Sequence, residues 1–255
     1  MKIYRDFANG RYPRPIILEM GGKNPAVVSR NADLERAAQG IYRSAFGLQG
    51  QKCSATSRVL VEEPVYDELV NRLKEMTDKA VIGDPTEKAT FLGPVANQSA
   101  YNDYKAFTEE LSQSGTILTG GKVLTEGAYG KGYYCEPTIV LDVPMSHHLW
   151  KQEMFLPITM VHKVQNLEEA MELANDVNYG LTAGIYGSED EVEWYFKNIE
   201  AGVVYANRPQ GATTGAWPGF QPFGGWKGSG SSGKNAGGHY YLLEYMHEQI
   251  NTVIR

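Results

Sequence analysis

The chain has 255 residues, 42% of them hydrophobic, which is enough for one large buried core or two small ones. Its 24 basic and 30 acidic residues leave a net charge of -6 and no basic stripe interleaved with aromatics, which argues against a nucleic-acid partner. No apolar run approaches the roughly 20 residues that cross a bilayer, and Met1–Phe7 has no apolar signal-like stretch, so no membrane partner is expected. Two cysteines in such a length argue against a disulfide framework and for a reducing, cytoplasmic setting.

In chain order, Pro15–Glu19 reads as a strand closed by Gly21-Gly22, and Pro25–Ser29 as a second. Asp33 caps a helix running to Phe46, with Leu34, Ala37, Ala38, Ile41 and Ala45 at helical spacing. A Gly/Gln-rich approach, Gly47–Lys52, leads into Cys53. Arg58–Val61 reads as a strand and Val65–Val81 as an amphipathic helix. Further helices are expected over Asn97–Ser114, Leu167–Asp176 and Glu189–Asn198. Strands are expected over Thr116–Thr119, Cys135–Val140, Ile158–Val164, Thr182–Tyr186 and Gly202–Ala206. This alternation implies an α/β fold built on a mainly parallel sheet with flanking helices. From Asn207 to Gly238 the chain is rich in Gly, Pro, Ser and Thr but carries Trp217, Phe220, Phe223 and Trp226, as expected of a packed loop rather than a linker. A short helix near Tyr240–Met246 and a strand-like tail, Gln249–Arg255, follow. The expected division is an α/β body over residues 1–206 and a loop, helix and strand over 207–255.

Two cysteines have different surroundings. Cys135 lies in a strand-like run, where a buried thiol behaves as a small hydrophobe. Cys53 lies between a Gly-rich approach and small residues, Ser54-Ala55, where a substrate can reach the sulfur and backbone N–H groups can face an oxyanion. Lys52 adds a positive charge that favours the thiolate. Local chemistry alone leaves a nucleophile and a structural thiol equally supported. None of the five histidines sits in a cysteine-protease signature. His147-His148 and the cysteines lack the close paired spacing of zinc sites, so no metal is expected. Glu19, at the end of an apolar strand before Gly21-Gly22, has the character of a general base or of an ordinary strand-end acid. Gly228-Ser229-Gly230-Ser231-Ser232-Gly233 matches the dinucleotide glycine pattern, but a loop precedes it instead of the strand that pattern needs.

Taken together, these segments resemble the aldehyde dehydrogenase superfamily. Glu19-Met20-Gly21-Gly22-Lys23-Asn24-Pro25 is similar to its general-base box, and Gly50-Gln51-Lys52-Cys53 to its catalytic-cysteine box. Glu153-Met154-Phe155-Leu156-Pro157 is similar to its Glu-x-Phe-Gly-Pro box, with Leu156 in place of the usual glycine. Asn175–Gly184, Asn207 and Phe223–Gly230 continue the likeness, which covers essentially the whole chain. Within the superfamily, Gly50–Ala55 and the Thr214–Phe223 region are similar to the 1-pyrroline-5-carboxylate dehydrogenases, although Asn207–Thr213 is longer than usual.

The resemblance implies that Cys53 attacks an aldehyde, that hydride passes to NAD or NADP, and that Glu19 activates the water that hydrolyses the resulting thioester. It implies that Glu153 and Phe155 contact the nicotinamide riboside. It also implies that Ser54, Gly215 and Ala216 hold the carboxylate of glutamate 5-semialdehyde while Phe223 packs on its aliphatic chain. Such enzymes are roughly twice this long, as suits a two-domain protein. The N-terminal Rossmann-like half that completes the cofactor site is expected to be absent here, and a separate chain is one way to supply it. The tail resembles an oligomerisation strand, so an oligomer is expected. Two alternatives stay open: a catalytic domain with only esterase-like activity through Cys53 and Glu19, and a non-enzymatic interaction subunit.

Overall fold

The structure is a computed structural model that describes residues 2–12, 16–212, 220–231 and 233–255. Helix α1 (Lys2–Ala8) buries none of its side chains. Strand β1 (Asn24–Val28) is buried along its whole length, as its continuous apolar run demands. Helix α2 (Leu34–Phe46) starts where the Asp33 carboxylate accepts the Arg36 N–H, and turns Ala37, Ala38, Ile41 and Ala45 inward. Strand β2 (Thr56–Glu62) leads into α3 (Glu63–Asp78), whose early Pro64 suits a first helical turn. Helix α4 (Gln98–Ser114) is capped by Asn97. Short strands follow: β3 (Thr116–Thr119), β4 (Val123–Leu124), β5 (Tyr134–Cys135) and β6 (Thr138–Leu141). Strand β7 (Ile158–Val164) precedes α5 (Leu167–Asn175), β8 (Tyr179–Gly180) and β9 (Thr182–Tyr186). Helix α6 (Glu189–Asn198), opened by a Ser188/Glu191 capping box, leads to β10 (Val203–Ala206). Strand β11 (Trp226–Lys227) pairs with β8.

Seven strands form one sheet in the order β10-β9-β1-β2-β7-β6-β3. Every pairing is parallel except β3 with β6. Alternate side chains serve opposite faces. Val28, Val59 and Val61 pack with Ile41, Phe46, Leu69 and Leu73 of α2 and α3. Val27, Leu60 and Ile185 pack with Ala170 and Ala174 of α5 and Tyr195 of α6. A third cluster seats Tyr104 and Leu111 of α4 on Val140, Ile158 and Met160. Each such aliphatic side chain contributes about 1.5–3 kcal/mol on burial. Among the described residues, no helix is long and apolar enough to cross a membrane.

Four local expectations change. Residues 16–18 form no strand, and Glu19 makes only an isolated bridge to Gly230. The expected strand Cys135–Val140 is broken into β5 and β6 around Pro137, which has no N–H to give to a ladder. The C-terminal helix shortens to a 3-10 turn, Leu242–Tyr245. The tail from Gln249, where an oligomerisation strand is expected, forms no strand among the described residues.

Candidate active site

Three segments that lead into β1, β2 and β7 come together. The first is 19–22. It is tied down by the loop that carries the false dinucleotide pattern: Met20 N–H donates to the Ser229 carbonyl at 3.1 Å, and Ser229 Oγ donates to the Gly21 carbonyl at 2.7 Å. Ser229 Oγ also accepts the Gly180 N–H at 3.0 Å, and Ser231 Oγ accepts the Leu18 N–H at 2.8 Å. The glycine-rich loop is thus a staple.

The second segment is the Lys52–Ala55 turn, closed by Ala55 N–H donating to the Lys52 carbonyl at 3.0 Å. Cys53 is its first central residue and is half-buried. Its thiol sits beside Leu181, Val203 and Phe223. Burial pushes the Cys53 thiol up from its ordinary range, and the Glu153 carboxylate adds to that push. The Ser54 and Cys53 N–H groups act the other way, favouring the thiolate, and Glu19 adds a smaller upward contribution. Burial lowers the ammonium of neighbouring Lys52, while the Cys53 thiolate opposes that shift.

The third segment carries Glu153 and Phe155. The Glu153 carboxylate lies directly over Gly21 and accepts the Gly22 N–H at 2.9 Å. A Cβ on Gly21 would collide with that carboxylate, and one on Gly22 would lie 2.6 Å from the Cys53 carbonyl oxygen. Gly22 is therefore required by the close approach of the Cys53 backbone, and Gly21 leaves room for the Glu153 carboxylate in this position. Burial raises the Glu153 carboxyl, while the Gly22 N–H and the Lys23 ammonium oppose that shift. Phe155 is 45% exposed and has φ of 55°, an uncommon conformation for an aromatic residue.

The structure brings Cys53, Glu153 and Phe223 together and places Glu19 within electrostatic reach. Glu19 is not at the end of a buried strand: it is exposed, and it accepts the Tyr241 hydroxyl at 3.2 Å. Ser54 is fully buried, with Oγ lacking a hydrogen-bond partner among the described residues. Gly215 and Ala216 lie outside the described residues. Sequence reasoning missed Asn24 and Lys23. Asn24 bridges three segments through its side-chain amide. Lys23 is 1% exposed, and its Nζ has no hydrogen-bond partner among the described residues. Both stand in the segment already singled out, but only tertiary contacts distinguish them from neighbours.

Sequence spacing also hid one cluster away from this site. Glu110 receives both Nε2 atoms of the stacked pair His147-His148, at 3.2 and 2.5 Å. His147 Nδ1 accepts the Leu149 N–H at 3.3 Å, so the neutral ring carries its proton on Nε2, facing Glu110. The ligand atoms of Glu110, His147 and His148 lie within 4.8 Å of one another, close enough to share an ion.

The Aldehyde dehydrogenase family profile matches residues 1–251. The chain belongs to this family. It is 43% identical over 239 residues to the 1-pyrroline-5-carboxylate dehydrogenase of Geobacillus thermodenitrificans (strain NG80-2), covering 93% of this chain and 44% of that one. A 1-pyrroline-5-carboxylate dehydrogenase from Bacillus licheniformis is 41% identical, over 94% of this chain and 45% of its own. The solved structure of a Thermus 1-pyrroline-5-carboxylate dehydrogenase with bound NAD superposes with a TM-score of 0.88 at 34% identity, covering 96% of this chain and 46% of that one. Betaine aldehyde dehydrogenase from Staphylococcus aureus in complex with NAD+ follows at 0.83 and 28%, over 90% and 45%. The chain therefore spans less than half the length of these aldehyde dehydrogenases.

Proposed function

We propose that this chain supplies the acyl-transfer centre of a 1-pyrroline-5-carboxylate dehydrogenase, which oxidises glutamate 5-semialdehyde to a carboxylate with NAD or NADP. The supporting observation is the Cys53 thiol, which faces two backbone N–H groups, the Glu153 carboxylate and an apolar wall that includes Phe223. Cys53 Sγ attacks the aldehyde carbon, and the new oxyanion receives the Cys53 N–H. A nicotinamide held beside Glu153 and Phe155 would supply the hydride acceptor, and Cys53 Sγ would then carry the acyl group as a thioester. Glu19 takes a proton from water, the water oxygen attacks the thioester carbon, and the C–S bond breaks to give the carboxylic acid and the Cys53 thiolate; the acid and Glu19 then release their protons to solvent.

Gly22, Lys52, Glu153 and Phe155 line a shallow cleft beside Cys53, where the nicotinamide end of such a cofactor would be held. Phe155 offers an exposed aromatic face. Glu153 keeps acceptor capacity for ribose hydroxyls beyond its bond to the Gly22 N–H. The buried, unpartnered Ser54 hydroxyl supports a role in holding the substrate carboxylate, with Gly215 and Ala216 as its proposed companions. A separate chain carrying the remaining cofactor-binding half, assembly into an oligomer and a cytoplasmic setting belong to the same proposal.

A second reading, esterase-like hydrolysis by Cys53 and Glu19 without a cofactor, needs only these two side chains, and Glu19 stands within electrostatic reach of the thiol. Purified chain, alone and mixed with the corresponding N-terminal half of a relative, is assayed for reduced nicotinamide with glutamate 5-semialdehyde and with simple aliphatic aldehydes. Oxidation lost in Cys53→Ala and favouring the semialdehyde is expected. A preference for the aliphatic aldehydes rejects the substrate, and turnover that survives Cys53→Ala rejects the mechanism. Cys53-dependent ester hydrolysis with no aldehyde oxidation in either sample selects the second reading.

A further inference from the structure

Asn24 is 2% exposed, and its side chain reaches three backbone groups on two other segments. Nδ2 donates to the Cys53 carbonyl and to the Ala55 carbonyl, each at 2.8 Å. Oδ1 accepts the Thr182 N–H of β9 at 3.0 Å. The Ser54 carbonyl between the two gripped ones accepts the Thr182 hydroxyl at 3.3 Å. Three consecutive carbonyls of the nucleophile turn are therefore held by side chains from β1 and β9. Pro25 explains why a side chain does this. It has no N–H to offer a neighbouring strand, and the β1–β2 register shifts between Asn24 and Pro25.

The peptide plane carries this grip to the sulfur. In a trans peptide, the carbonyl of one residue and the N–H of the next point in opposite directions. Tying the Cys53 carbonyl to Asn24 aims the Ser54 N–H the other way, where it favours the Cys53 thiolate. We propose that Asn24 is a positioning residue for Cys53: through the Cys53 carbonyl it orients the peptide whose Ser54 N–H faces the sulfur. The inference rests on Cys53 being the nucleophile, but it is tested without cofactor or aldehyde. The charged groups that act on the thiol are Glu153, Glu19 and Lys52, and none of them is altered in the test.

The experiment measures the rate of Cys53 alkylation by iodoacetamide against pH in the whole chain, site by site by mass spectrometry. Cys135, 2% exposed, serves as the internal reporter of unfolding. Asn24→Ala removes the grip. Asn24→Leu keeps nearly the same volume and adds no charge, but it can neither donate to the two carbonyls nor accept from Thr182. Both variants are expected to slow Cys53 alkylation near neutral pH by about fivefold, the worth of one oriented hydrogen bond, and to move the midpoint of its pH profile upward. Cys135 should stay protected. An unchanged Cys53 profile with Cys135 protected overturns the proposal. So does exposure of Cys135 together with Cys53 in both variants, which makes Asn24 a structural residue only. Failure of the dehydrogenase reading appears separately, as absent aldehyde oxidation by chain whose Cys53 profile still depends on Asn24.

Discussion

Cys53 is surrounded by opposing influences, and the balance between them sets its reactivity. Burial and the Glu153 carboxylate hold its proton on, while two N–H groups favour the anion. Replacing Glu153 with Gln removes the negative charge and keeps the shape, so the midpoint of Cys53 alkylation should fall toward lower pH. A midpoint that stays put would mean that Glu153 does not act on the thiol. Lys23 gives a second prediction at this scale. Burial holds its ammonium well below the ordinary lysine value, with Arg58 adding to the shift and Glu153 opposing it. Between that lowered value and the ordinary 10.5, the unfolded chain binds the proton and the folded chain does not. Stability from this group therefore rises with pH across that window and is lowest below it, where the folded protein must carry a buried charge. Lys23→Met should remove the dependence: its urea midpoint, minus that of the unaltered protein, is expected to be positive at neutral pH and to shrink as pH rises. A difference that does not vary with pH would show that Lys23 is charged equally in both states.

Elements are held in register by polar bonds that no hydrophobic pattern announces. Arg58 of β2 is 1% exposed and donates to three carbonyls: Lys23 at 2.9 Å, Leu173 at 2.8 Å and Ala174 at 2.9 Å. It thereby joins β2 to the last turn of α5 and to the residue before β1. The three carbonyls satisfy the guanidinium, and the guanidinium satisfies the helix end. Arg58→Met would leave these acceptors buried and unpaired. A loss of about 1–3 kcal/mol is expected from leaving buried acceptors unpaired, read as a lower urea midpoint with an unchanged slope. A loss near zero would mean that α5 finds other partners. Gly50 governs the approach to Cys53 in another way. Its φ is +66°, and a Cβ there would strike the Leu156 carbonyl. Gly50→Ala should lower stability by more than the ~1 kcal/mol that positive φ alone costs a non-glycine residue, and should alter Cys53 alkylation, since the same loop enters the nucleophile turn.

For the whole molecule, the sheet and its two helical layers bury nearly all large apolar side chains of the body, and the far C-terminal segment does not. Leu242, Leu243, Met246, Ile250, Val253 and Ile254 are 59–96% exposed. An apolar run of this kind on a water-facing surface favours association. Sedimentation velocity should find the chain as an oligomer that shifts toward monomer when Val253 and Ile254 are both changed to Lys. A monomer for the unaltered protein would remove the run's assignment to assembly.

Much of the fold was legible because period and caps are local. Asp33, Asn97 and Asn166 each open a helix where their side chains meet the first free N–H groups, and the buried strands read as apolar runs. The misread pieces were those whose pairing is decided at a distance. Leu18-Glu19 looks like strand, yet its partners are Ser231 and Gly230, more than two hundred residues away in the chain. The site divides in the same way. Ordered boxes in the sequence were enough to single out Cys53, Glu19, Glu153, Phe155, Ser54 and Phe223, because reactive side chains of definite types are needed at each. The tertiary structure decided how they stand. It laid the Glu153 carboxylate over Gly21-Gly22, exposed Glu19, set Phe223 beside the thiol and gave Asn24 its three backbone partners. A side chain's chemistry is written in its residue type. Its charge, burial and aim depend on groups that only folding brings within a few ångströms.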